Sequence, residues 1–157
     1  MRYTLLIAIV ILGLAACKKD KFTTAPQISY KSLKPNAISS HLSFVPPLGQ
    51  QPPIITIHVT DAEGDIGFKD FSDSAYIYVK NLLANTRDSF KFPDLSGATG
   101  KFFECDVDIK LNAAPLIKGG PRPPPKTDTL YFEIYVKDFA KNKSNTIVTG
   151  DPLFFVF

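Results

Sequence analysis

Histidine and cysteine are scarce in this chain of 157 residues, two of each, and tryptophan is absent. A hydrolase triad needs a histidine within hydrogen-bond reach of a nucleophile, and only His41 and His58 are available. His41 lies in a serine-rich turn. His58 lies mid-strand on the side opposite Ile57 and Val59, so both read as surface or edge residues. There is no nucleophile elbow, metalloprotease helix or phosphate loop, and no Cys/His set spaced for zinc. The leading apolar run, residues 5–12, is far short of the roughly 20 residues that cross a bilayer as a helix. A strong charge of one sign is lacking too. The net charge is +3, and the Lys and Arg residues are scattered without a basic stripe, which removes the electrostatic case for a nucleic-acid partner.

What is present begins at the front. Arg2, the apolar run 5–12 and then Leu14-Ala15-Ala16-Cys17 give a charged start, a greasy middle and a small-residue cleavage zone, the order of a removable leader. Leu-Ala-Ala-Cys resembles the lipobox of bacterial lipoproteins. That resemblance implies diacylglycerol transfer to the Cys17 sulfur, cleavage before it, and acylation of the new amino terminus. The expected organisation is a signal peptide over 1–16, a lipidated cysteine and flexible tether over 17–25, and one domain over 26–157. Cleavage leaves 141 residues, enough to bury a core, and loss of Arg2 takes the net charge from +3 to +2. A triacylated cysteine exceeds the two-chain requirement for stable anchoring, so the expected partner is a membrane, reached through the lipid. Lys18, not Asp, follows the cysteine, which resembles the sorting signal of enteric lipoproteins passed to the outer membrane. The tether holds a single acidic residue, Asp20, and leaves the leaflet open. With Cys17 lipidated, Cys105 has no disulfide partner, and its place in the apolar register makes it a small buried hydrophobe.

From residue 26 onward the hydropathy pattern is period two, without a helical stripe. Strands are expected over 27–33, 41–45, 54–60, 75–80, 88–92, 101–111, 130–137, 146–148 and 153–157. Between them, the proline-rich stretches 46–53 and 118–125 break any ladder. Residues 130–137 alternate cleanly, with Leu130, Phe132, Ile134 and Val136 inward and Tyr131, Glu133, Tyr135 and Lys137 outward. Short strands at this density in one domain predict an all-β, antiparallel immunoglobulin-like β-sandwich. The missing tryptophan and cysteine pair argue against an antibody-type domain, not against the architecture. The lipobox, Val59-Thr60-Asp61-Ala62-Glu63-Gly64-Asp65-Ile66-Gly67 and Tyr135-Val136-Lys137-Asp138-Phe139-Ala140-Lys141-Asn142-Lys143-Ser144-Asn145 together resemble the small Ig-like lipoproteins of Bacteroidetes. The last two stretches are also similar to loops of bacterial Ig-like and cadherin-like repeats, where a strand ends in Asp-x-Ala-Gly-Asn. This chain has Lys141 in place of that glycine.

Two candidate sites emerge. Asp61, Glu63 and Asp65 stand at i, i+2 and i+4 where a strand ends, and Gly64 and Gly67 permit a tight turn. In an Ig-like sandwich the B–C and F–G loops share one end, which would bring Asp138 to face this turn. Hard carboxylate oxygens suit calcium far better than zinc, and three acids in one turn suit a cation better than the acid/base pair of a glycosidase. The same composition also serves a solvated turn. The second candidate is Tyr131 with Tyr135, outward aromatics suited to a glycan or a protein partner, although cross-strand tyrosines stabilise sheets without any ligand. The function expected is a non-enzymatic binding or structural accessory of the envelope. The alternative is a carbohydrate-binding or glycan-processing surface lipoprotein.

Overall fold

The computed structural model describes residues 21–39, 51–67, 74–95, 100–112, 116–121, 123 and 125–156. The alternation appears there as ten strands: β1 (Gln27–Lys34), β2 (Ala37–Ser39), β3 (Ile54–Asp61), β4 (Tyr76–Asn81), β5 (Thr86–Lys91), β6 (Phe103–Lys110), β7 (Thr127–Leu130), β8 (Phe132–Lys137), β9 (Ile147–Val148) and β10 (Leu153–Val156). β-Branched and aromatic residues pack well on a pleated, half-buried surface. In β3 the inward row Ile55, Ile57 and Val59 is completely buried, while Thr56 and His58 face outward. No helix occurs among the described residues.

Three sheets form, in the orders β1-β3-β6, β2-β10-β7 and β5-β4-β8-β9. All pairings are antiparallel except β2 with β10. The inward rows merge into one core. Ile28, Ile57 and Val107 come from the first sheet, Leu130 and Phe155 from the second, and Ile77, Val79, Ile134 and Val136 from the third. Fully burying each such side chain contributes about 1.5–3 kcal/mol. This is the arrangement of an all-β sandwich. The exposed edge of β1 is sealed by one side chain: Asn145 accepts from the Ile28 N–H at 2.8 Å and donates to the Ile28 carbonyl at 2.8 Å, imitating a neighbouring strand.

The expected single strand over 130–137 is two. β7 pairs with β10 and β8 with β4, and Tyr131 lies at the change of partner, its carbonyl accepting from the Leu82 N–H at 3.0 Å. The inward–outward alternation runs through Tyr131 unbroken, so the residue pattern carries no sign of the change. The expected strand 41–45 lies outside the described residues. Residues 21–25, placed in the tether, lie against the sandwich. Thr60 Oγ1 donates to the Lys21 carbonyl at 2.9 Å, and the Ala62 N–H donates to the Thr23 carbonyl at 3.1 Å.

Candidate metal centre

Two strands of different sheets each extend their inward row by one aspartate. In β3 the row Ile55, Ile57, Val59 continues to Asp61, and in β8 the row Phe132, Ile134, Val136 continues to Asp138 just past the strand end. Both carboxylates are therefore carried into the core face, and both residues are fully buried. The turn after β3 supplies a third. Gly64 adopts φ 69°, a conformation natural to glycine, and the turn brings Asp65 back toward Asp61. The Phe139 N–H donates to the Asp65 carbonyl at 2.9 Å and so ties the turn to the β8 exit. Carboxylate oxygens of Asp61, Asp65 and Asp138 all lie within 4.8 Å of one another.

The hydrogen bonding of the cluster is incomplete. Asp61 Oδ2 accepts from the Gly64 N–H at 2.6 Å. Asp138 Oδ1 accepts from the Asn142 N–H at 2.7 Å, and its Oδ2 from Asn142 Nδ2 at 2.9 Å. Asp61 Oδ1 and Asp65 Oδ1 are buried without a hydrogen-bond partner. Among the described residues, the ion pairs run between other groups. A buried carboxylate oxygen without donor or cation is unfavourable. Burial pushes the Asp61 carboxyl up to about 6; the Gly64 hydrogen bond opposes it, and the charges of Asp65 and Asp138 add to the push. Burial also raises the Asp138 carboxyl, against the opposing hydrogen bonds from Asn142. The three residues offer hard carboxylate oxygens and no His or Cys, a donor set of the kind calcium takes and not one typical of zinc.

Glu63, the fourth acid expected here, is exposed at the tip of the turn and stands outside the cluster. A strand would put residues i and i+2 on one face, but the chain has left the extended conformation by Gly64. Lys141 adopts φ 69°, the left-handed conformation that favours glycine.

The tyrosines do not form the expected pair. Tyr135 stacks on Tyr78, a residue of the neighbouring β4, with ring centroids 4.7 Å apart and planes 10° from parallel. Lys143 Nζ lies 4.2 Å from the Tyr135 centroid, and Lys137 Nζ lies 5.8 Å from that of Tyr78. The ring faces are thus engaged by each other and by ammonium groups. Tyr131 sits apart, at the junction of β7 and β8, and is exposed.

An ionic network, of whose pairings the residue pattern gives no sign, covers the outer face of the β1-β3-β6 sheet. His58 Nδ1 lies 2.8 Å from Asp106 Oδ1 and its Nε2 3.0 Å from Glu104 Oε1, while Lys31 and Lys21 pair with the same two acids at 2.6 and 2.5 Å. The alternating acids Glu104, Asp106 and Asp108 are visible in the sequence as an outward row; that Asp106 stands opposite His58 is a matter of register. Cys105 points inward as expected but is only half-buried, and burial pushes its thiol up to about 11, which keeps it protonated and unreactive at neutral pH. Cys17 and His41 lie outside the described residues. Comparison with protein-family models, with curated proteins and with solved structures finds no match.

Proposed function

We propose that this chain is a lipid-anchored, calcium-stabilised Ig-like module of the bacterial outer membrane, acting as a non-enzymatic binding or structural accessory. The observation that carries the reading is the closed cluster of Asp61, Asp65 and Asp138, with two buried oxygens still lacking a partner. Asp61 and Asp138 are buried and Asp65 half-buried, and the three come from the ends of two strands and one turn, so the cation would serve to hold loops together and not to meet a substrate. Supporting an Ig-like arrangement is the strand order. β1 and β2, consecutive along the chain, lie in different sheets, and β2 pairs in parallel with β10. His58 spends both ring nitrogens on carboxylates and has none free to act as a base. The carbohydrate-binding alternative is disfavoured because the Tyr135 ring faces are occupied by Tyr78 and Lys143.

The anchor is tested by metabolic fatty-acid labelling and membrane fractionation of the wild type and Cys17→Ser. Labelled, membrane-bound wild type and unlabelled, released Cys17→Ser are expected. Equal labelling of the two would overturn the lipidation of Cys17.

A further inference from the structure

The most exposed of the large hydrophobic side chains on the described surface is Phe102, 65% exposed. Its backbone is held at φ 63°, where a bulky side chain is a marked outlier, by a hydrogen bond from its N–H to the Ala62 carbonyl at 3.0 Å. Its ring meets Phe22 edge-on, with centroids 5.5 Å apart at 73°. Lys21 Nζ stands 5.3 Å from the Phe22 centroid, and Lys101 is exposed beside Phe102. Phe22 is half-buried, and Phe102, held in water against its ring by a strained backbone, calls for a partner that takes up the exposed ring.

The length of the tether indicates which partner. Phe22 follows Cys17 by five residues, a reach of at most roughly 18 Å when fully extended. Its root is fixed to the sandwich, because Lys21 pairs with Glu104 and the carbonyls of Lys21 and Thr23 accept from Thr60 and Ala62. A lipid on Cys17 therefore keeps this end of the sandwich within reach of the bilayer surface. This inference rests on the anchored reading above.

We propose that the folded domain seats this end on the lipid surface, with Phe22 and Phe102 entering the headgroup–acyl boundary and Lys101 extending toward the phosphates, while Lys21 stays paired with Glu104. The acids Glu63 and Glu104 at the same end offset the lysines, so the seat is apolar in character and persists in high salt. The domain then has a fixed orientation, with the candidate metal centre at the membrane side and the β4–β5 turn, Asn81 to Thr86, at the far side. The centre braces the root of the tether, since Ala62, which follows Asp61, holds both Thr23 and Phe102.

The absence of tryptophan makes the test clean. Lipidated Phe102→Trp, Phe22→Trp and, at the opposite end, Leu83→Trp are placed in phosphatidylcholine vesicles with and without brominated acyl chains, and their tryptophan emission is recorded. Each variant is first checked to melt like the wild type, and either phenylalanine position suffices if the other fails to fold. For an interfacial ring, emission of Phe102→Trp or Phe22→Trp is expected to shift to the blue and drop by about twofold with brominated lipid, while Leu83→Trp is unchanged. Vesicle-bound protein in which all three emit alike would overturn the inference and leave the anchor standing, and would direct the search to a protein partner for Phe102. Failure to float with vesicles would overturn the anchor, and the seating with it.

Discussion

Two acidic regions of this molecule, about equal in carboxylates, have opposite electrostatics. On the outer face of the β1-β3-β6 sheet, Glu104 and Asp106 meet Lys21, Lys31 and His58, and both acids are held below the ordinary carboxylate range, first by their hydrogen bonds to the lysines. At the end of the sandwich, Asp61, Asp65 and Asp138 meet one another, and burial and mutual repulsion push Asp61 and Asp138 upward. The first region supplies its own cations and is complete. The second is complete only with a proton or a metal ion. Like charges within 4.8 Å in a buried setting are tolerated by such a third party and by little else.

The strongest way to break this comparison is to dismantle the turn. A Cβ on Gly64 would stand 2.3 Å from the Gly100 carbonyl oxygen, at a φ of 69° that already disfavours a side chain. Gly64→Ala is expected to lose about 3 kcal/mol of stability in a denaturant melt, because neither backbone segment can move aside cheaply. Wild-type stability in the variant would mean that the turn is not held as described.

A pH series in chelator sharpens the contrast. Asp61 keeps its proton up to about pH 6 in the folded protein, against 3.8 as its ordinary value, so between those limits the folded state binds more protons than the unfolded chain. Stability then falls as pH rises through that window. The chelated protein is expected to melt several degrees higher at about pH 5 than at about pH 7.5. Glu104 and Asp106 act in the opposite sense, adding stability above the ordinary carboxylate range and losing it as pH falls. A midpoint that falls steadily on acidification from neutral pH would contradict the raised Asp61. The smallest effect belongs to the matched face. Asp106→Asn removes a partner of exposed Lys31 and half-buried His58, and its change in melting midpoint is expected to lie near the resolution of the measurement and to shrink with added salt.

Much of this was legible in the residues, for physical reasons. Period-two alternation marks strands and their inward faces, because a buried face admits only one register of side chains. It also marks Asp61 and Asp138, the next inward positions after Val59 and Val136. The spacing of Asp61 and Asp65 around Gly64 points the same way. Spacing alone does not separate Glu63 from its neighbours, because which side chains a tight turn carries inward depends on its backbone conformation, and this one leaves Glu63 exposed. Pairing was not legible. That His58 stands opposite Asp106, and Tyr78 opposite Tyr135, depends on which strands become neighbours and in what register, and no local pattern encodes either. The division of β7 from β8 at Tyr131 escaped for the same reason.

The unmatched cluster is tested most directly by thermal melts in millimolar calcium and in chelator, for the wild type and for Asp65→Asn. An ion that binds only the folded state stabilises by about 2.7 kcal/mol at 100 times its dissociation constant, a rise on the order of 10 °C for a domain of this size. The wild type is expected to show that rise. Asp65→Asn should lose the calcium response and melt above the wild type in chelator, because the amide relieves the repulsion and gives Asp61 a donor. A wild-type midpoint that is the same in calcium and in chelator would contradict the metal centre.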